Sequence, residues 1–340
     1  MIDLLVAGAG PVGLVTAIHA AEAGLDVAVV EPRAGTIDKA CGEGLMPKAL
    51  EHLSRIGVNP YGVDFFGIRY LAGSTSVDAR FTSNPGRGVR RTVLHDALRE
   101  RAHELHINFI DGRVDEIVQS NSSVTAAGVQ SRYLIGADGL HSTVRANLGL
   151  EIGTPKNRRP RYGVRQHFTI APWSDLVEVY WLPHAEVYVT PVSEDSVGLA
   201  ILGYTGLNFE EVISQIPTLA AKIHSASPAS KLRGAGPLRQ RASHRVQGRA
   251  LLVGDAAGYV DALTGEGLQV GFSEAEAAVK SIVSGEISSY DAKWRKITRS
   301  YRMRSGGLLW ASSKRAIRPA IVPAARALPP VFRGIVRSLS

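Results

Sequence analysis

Gly8, Gly10 and Gly13 carry the G-x-G-x-x-G spacing, and an acid, Glu31, follows eighteen residues after the last of them. At such a turn Gly8 permits the tight bend, Gly10 lets the backbone approach a pyrophosphate, and Gly13 lets a helix pack closely on a strand. Pro11 and Val12 lie inside the turn and belong to the same candidate site, as do Pro32 and Arg33 directly after the acid. Glu31 is placed to accept hydrogen bonds from ribose hydroxyls, and its charge repels a ribose 2′-phosphate, so this pocket suits NAD or FAD rather than NADP. Two further acids sit beside glycine at the end of an apolar run, in Asp138-Gly139 and in Gly254-Asp255.

These side chains need elements to position them. Leu4 to Ala7 is too short an apolar run for a helix and reads as a buried parallel strand. Leu14 to Ala23 has helical character, with Gly24 where a helix stop belongs, and Asp26 to Val30 reads as a second buried strand. Tyr133 to Ile135 and Ala250 to Val253 are the runs that deliver Asp138 and Asp255. After the last of them Gly265, Gly267 and Leu268 open a helix whose first amides face an anion or an electron-rich ring edge. Together the runs predict an α/β fold with a Rossmann-like sheet.

Other stretches are less specific. Residues 36–48 form a glycine-containing loop in which Gly42 allows close backbone approach to a flat ligand. Cys41, the single cysteine, is either a reactive thiol or a buried inert one, and no C-x-x-C spacing or histidine partner supports catalysis. Residues 90–99 read as a helix with Leu94 and Leu98 on one face and Arg91 a turn before. Strands are predicted at residues 107–110, 113–118 and 128–134, and an amphipathic helix over residues 209–223. Residues 177–181, 186–190 and 197–201 alternate as antiparallel strands do, with turns at Pro183-His184 and Glu194-Asp195. No metal-ligand set and no catalytic base is read; His141 and His184 are candidates that a structural role explains as well.

The chain has 340 residues, 45% of them hydrophobic and 21% charged, which describes a folded protein with ample core. One cysteine excludes an internal disulfide framework, and with no signal peptide read before the first strand a cytoplasmic location is expected. The net charge of +8 is concentrated: twelve lysines and arginines follow Asp291 without one acid, and the preceding body is net acidic. No nucleic-acid motif accompanies them. Apolar residues interleave the charges, and prolines 319, 323, 329 and 330 forbid one continuous helix. The tail therefore reads as short helices lying on an anionic membrane, as a solvated basic face, or as a lid over the substrate site. Residues 318–340 read as loosely ordered.

Three strand ends with glycine and an acid exceed what one nucleotide requires, whereas FAD adds a diphosphate and a ribityl chain. The motifs resemble those of FAD-dependent monooxygenases of the para-hydroxybenzoate hydroxylase type, on the branch shared with geranylgeranyl reductases. Asp138 to Arg145 is similar to that family's DG motif, Gly254-Asp255 to its GD motif, and Arg91 to its flavin-touching arginine. Val114 sits where the family contacts adenine through the backbone. The resemblance implies FAD, with NADPH or NADH as transient electron donor. It also implies an FAD-binding domain from residues 1–63, 91–157 and 240–290, interleaved with an antiparallel β-sheet substrate domain from 64–90 and 158–239, and a helical basic tail, 291–340. The implied reaction is hydroxylation of a lipophilic aromatic or polyketide-type substrate by O2 through a flavin C4a-hydroperoxide. Ala262 stands where hydroxylases carry proline, and Cys41-Gly42-Glu43-Gly44 and Thr264-Gly265-Glu266-Gly267 resemble the reductase branch instead. They imply the alternative, reduction of isoprenoid double bonds. A flavin-bound scaffold without activity is the remaining reading.

Overall fold

The computed structural model describes residues 1–153 and 159–339, so the expected boundary at 157/158 lies outside the described residues, as does Ser340. Its first sheet has the strand order Val246–Gln247, Ala250–Leu252, Val129–Gly136, Ile2–Ala7, Val27–Glu31, Asn108–Asp111. The last five run parallel. Leu4, Leu5 and Val6 are wholly buried because helices cover the sheet, as continuous apolar strands require. The register pairs Ala7 with Gly136 and with Val30, and Gly136 with Leu252. The turns carrying Gly8, Glu31, Asp138 and Gly254 therefore leave the sheet at one carboxyl edge, where ligands of open α/β sheets bind.

The second sheet is ordered Ser227–Pro228, Arg161–Thr169, Ser196–Tyr204, Ala185–Ser193, Val177–Trp181, Gly67–Ala72, Thr75–Arg80. It is antiparallel except where Val177–Trp181 runs alongside Gly67–Ala72. Its central strands are buried on both faces rather than alternating, since two helices cover one side and the tail the other. The predicted helix over 209–223 is two helices, Phe209–Ser214 and Pro217–His224, because Pro217 lacks the N–H to continue the first and starts the second. Residues 113–116 are not strand; pairing resumes at Ile117–Gln119, against Val124–Ala126.

The loose order expected of residues 318–340 is not found in the described part of the tail, which is helical as expected. A single helix, Tyr290–Ser313, is anchored at its start by Tyr290, whose hydroxyl donates to the Leu252 carbonyl at 3.0 Å. Helices Ile321–Ala327 and Pro329–Arg337 follow, so residues 318–339 are ordered. Val322, Phe332, Val336 and Leu339 are buried against Ile68, Val177, Val179 and Trp181 of the second sheet. Burying four such side chains contributes roughly 6–12 kcal/mol before ordering costs. The tail closes over the sheet as a lid.

Candidate functional site

The glycine turn is built by close approach. Gly8 has φ +104°, and a Cβ on Gly13 would lie 1.9 Å from the Gly8 carbonyl oxygen. A Cβ on Gly10, in contrast, would meet nothing within 4 Å, because that Cα faces a cavity. Pro11 begins the helix Pro11–Glu22, whose unpaired amides open on the same space. His95, buried on the helix Arg91–Glu104, holds the turn in place: one ring nitrogen lies 3.0 Å from the Ala9 carbonyl, the other 3.4 Å from the Ile37 amide. Burial keeps this imidazole neutral by pushing its pKa down.

The three acids play different parts. Glu31 accepts from the Ala9 amide at 2.9 Å and, with both oxygens, from Nε and Nη2 of Arg33. Burial opposes its ionisation, but those hydrogen bonds prevail and hold its carboxyl below the usual range. The Asp138 carboxylate is engaged by its own turn, accepting from Ser142 at 2.5 Å, Thr143 at 3.2 Å and the Val144 amide at 3.1 Å. It shapes the DG turn and leaves Gly139 at the cavity wall. Asp255 faces the cavity with Lys39 Nζ 3.9 Å away. Behind it Glu274 accepts the Gly254 amide at 2.6 Å and fixes the GD turn; burial pushes this carboxyl up to about 8.

The loop bearing Cys41 and Gly42 is clamped to the second sheet. Thr190 donates to the Gly42 carbonyl at 2.9 Å, and Glu43 reaches His167 at 2.6 Å and accepts the Arg91 amide at 2.8 Å. Arg165 bonds Asp38 beside it. From the far side Gly265, Gly267 and Leu268 present the start of the helix Gly267–Val283, and Arg304 pairs with Glu266 there. One cavity of about 620 Å³ joins all of this to an apolar compartment walled by the second sheet and the tail.

Of the residues singled out from the sequence, Gly10, Pro11, Val12, Arg33, Cys41, Gly42, Arg91, Asp138, Gly139, Gly254, Asp255, Gly265, Gly267 and Leu268 line this cavity. Gly8 and Gly13 support it from behind. Val114 is buried and its carbonyl accepts from Thr143 at 3.0 Å. Pro32 is exposed beside Arg33, while Glu31 lies just behind the cavity wall. His141 bonds the Gly236 carbonyl at the surface and His184 is exposed; neither lines the cavity. Lys39 and Glu43 (the latter named only within the Cys41-to-Gly44 stretch), with His95, His167 and Arg165, are not singled out as site residues by the sequence. The first two flank Cys41-Gly42 in the loop, where a charge either side of a glycine was the available signal.

The lining fits FAD. Gly10 and Gly42 leave open backbone for a phosphate and a flat ring, and Arg91 Nε is buried with no hydrogen-bond partner among the described residues. A buried guanidinium nitrogen left unpaired is costly, and a cofactor oxygen would satisfy it. Elsewhere, His19, His52 and Glu276 come within 4.8 Å of one another, as metal ligands do. Arg55 donating to His52 Nδ1 at 3.1 Å leaves Nε2 to bridge to His19 at 2.9 Å, and Lys280 pairs Glu276. Burial, reinforced by His19, pushes His52 down to about 4. The cluster is satisfied internally, beside two cations.

Comparison with known proteins agrees with this geometry. The chain is 27% identical over 340 residues to the menaquinone reductase of Mycolicibacterium smegmatis, covering 89% of this chain and 81% of that one. It is 27% identical over 325 residues to digeranylgeranylglycerophospholipid reductase 2 of Methanosphaera stadtmanae, covering 86% and 81%. Its fold matches a solved flavin-dependent brominase with a TM-score of 0.79 at 19% identity, over 99% of this chain and 93% of that one. The FAD binding domain family matches residues 1–61 and 99–285. With that match laid over the three converging strand ends, the chain belongs to the FAD binding domain family and is an FAD-dependent oxidoreductase.

Proposed function

We propose that the protein reduces carbon–carbon double bonds in a lipophilic, prenyl-type chain, taking electrons from NADH or NADPH through FAD. The observation that carries this reading is the cavity of about 620 Å³, whose compartment beyond the cofactor-binding turns is walled mainly by Ile68, Val177, Val179, Leu202, Leu238 and Phe332. An isolated alkene in a hydrocarbon chain offers no polar handle, so such a wall is what binds it. Relatives aligned over most of the chain carry reductase names, which supports the same choice over the hydroxylation read first from the sequence. When bound, FAD supplies the hydride chemistry. The chain's own contributions are the glycine turns that hold it, the apolar wall that lays the alkene across it, and the lid that excludes water.

Hydroxylation of a lipophilic ring by O2 is the second reading, favoured by that lid, since such chemistry would need a site from which the chain excludes water. Incubating the FAD-loaded protein with NADPH or NADH in air, with a geranylgeranyl lipid and separately with a long-chain alkylphenol, separates the two. The expected product is the prenyl lipid heavier by two hydrogens in mass spectrometry. An alkylphenol heavier by one oxygen, with the prenyl lipid untouched, overturns reduction in favour of hydroxylation.

The outer face of the lid supports a partner for this site. Among the described residues, no helix is long and apolar enough to cross a membrane. Yet Trp310, Leu328, Val331 and Ile335 are 58%, 57%, 58% and 45% exposed, between the exposed cations Lys314, Arg315, Arg326 and Arg333. Each cation at an anionic surface contributes about 1 kcal/mol. Reversing those four charges to glutamate is expected to abolish co-sedimentation with phosphatidylserine vesicles at low salt while FAD stays bound. Unchanged sedimentation of the variant removes the tail from any membrane contact.

A further inference from the structure

The helix Tyr290–Ser313 carries two adjacent glycines, Gly306 and Gly307, in its interior. Each costs about 1 kcal/mol relative to alanine there, and close packing does not require them: a Cβ on either would meet no heavy atom within 4 Å. Gly307 lines the cavity, and so do Leu308 and Ala311 on the same helix face. The next helix contributes Ala324 and Ala325, and Leu328 follows just past its end. Leu328, Val331 and Ile335 line the cavity and are at the same time about half exposed, so the cavity reaches the surface between these helices. The missing side chain of Gly307 therefore leaves room in a passage and not in a core. The flavin end of the same helix face is closed by Arg304 paired with Glu266, and Ser305 Oγ lies 2.7 Å from Thr264 Oγ1 beside it.

We propose that the hydrocarbon chain of the substrate threads from the flavin-facing compartment out through this passage, and that Gly307 sets the length of chain admitted. The inference rests on the reading that the substrate carries a long apolar chain, and it names the residue that discriminates among such chains. Only apolar side chains and bare backbone border the outer part of the passage, which suits methylene and isoprene groups and offers water no partners.

The test is binding without turnover. Geraniol, farnesol and geranylgeraniol are titrated into the FAD-loaded protein by calorimetry, with no electron donor present, for wild type, Gly307→Ala, Gly307→Leu and a control, Ser313→Leu, placed on the exposed end of the same helix. Wild-type affinity is expected to rise along the series. Gly307→Leu keeps geraniol within about twofold but weakens geranylgeraniol by at least about tenfold, since each carbon kept out of apolar contact costs about fourfold. Gly307→Ala falls between, and the control behaves as wild type. Thermal unfolding of Gly307→Leu stays level or rises, because a helix-interior glycine has been replaced. The proposal is overturned if Gly307→Leu weakens all three ligands alike, leaves geranylgeraniol unchanged, or loses FAD or stability. A protein that reduces no prenyl chain yet shows this length discrimination keeps the passage and sinks the reductase reading alone.

Discussion

Gly13→Ala is expected to give a protein that neither holds FAD nor folds stably, while Gly10→Ala gives one that folds as well as wild type and is colourless. The two glycines lie three residues apart in one turn, yet they do opposite work. At Gly13 the added Cβ would sit 1.9 Å from the Gly8 carbonyl oxygen and 3.3 Å from the Ala137 Cβ, backbone and side chain that cannot both retreat. Forcing helix and strand apart there costs about 3 kcal/mol or more and displaces the phosphate-facing amides. At Gly10 the backbone is extended, with φ −65° and ψ 168°, a conformation alanine adopts without strain. Its Cβ meets no protein atom, so stability is unchanged or gains a few tenths of a kcal/mol from a stiffer unfolded chain. The methyl group would instead project into the open space that the glycine turn is proposed to give to the pyrophosphate. Urea unfolding and flavin absorbance after gel filtration read the two effects separately. Gly10→Ala protein that remains yellow would remove the pyrophosphate from this turn.

Arg318→Ala is expected to cost about 3–5 kcal/mol and to release the lid. Arg318 Nη1 lies 2.7 Å from Glu186 Oε1 and donates to the Ser312 carbonyl, while Nε and Nη2 donate to the carbonyls of Leu182 and Ala185. Glu186 is shared with Arg161 at 2.7 Å, and Arg161 with Asp261 at 2.9 Å. All four side chains are almost wholly buried, and two positive and two negative charges cancel. Removing Arg318 leaves one negative charge in excess away from water, and it breaks the bond between tail and sheet. Chemical denaturation measures the loss, and limited proteolysis reports the freed segment after Ser313. Pairing Arg318→Met with Glu186→Gln removes the excess charge and is expected to recover at least half of the stability. Arg318→Ala within about 1 kcal/mol of wild type would show that the lid is held by its apolar contacts alone.

Arg318 also marks the limit of what could be read before the fold was known. The sequence presents it as one of twelve cations in an acid-free tail, suited to lipid or water. Its partner Glu186, and the Arg161–Asp261 pair joined to it, stand far away in the chain, and nothing local announces them. Pro217, by contrast, breaks a predicted helix by a rule that could have been applied from the sequence, since proline removes a donor wherever it stands. The strand over 113–118 was a different miss, a short apolar-polar run whose pairing depends on where the neighbouring strand ends.

The sequence by itself determined the cofactor-binding half of this protein. A tight turn against a phosphate demands particular residues at particular spacings, and a strand buried on both faces must be apolar throughout, so Gly8, Gly10, Gly13 and the runs behind Asp138 and Asp255 carry their meaning locally. Tertiary structure alone decided the rest. It brought Glu43 to His167 across more than a hundred residues, took the Asp138 carboxylate into its own turn, and laid the tail on the second sheet. Basic residues interleaved with apolar ones satisfy a membrane, solvent or a protein surface equally well. The choice was made by burial: Val322, Phe332, Val336 and Leu339 found an apolar sheet to cover, and the residues they left outside became the outer surface and mouth of the cavity.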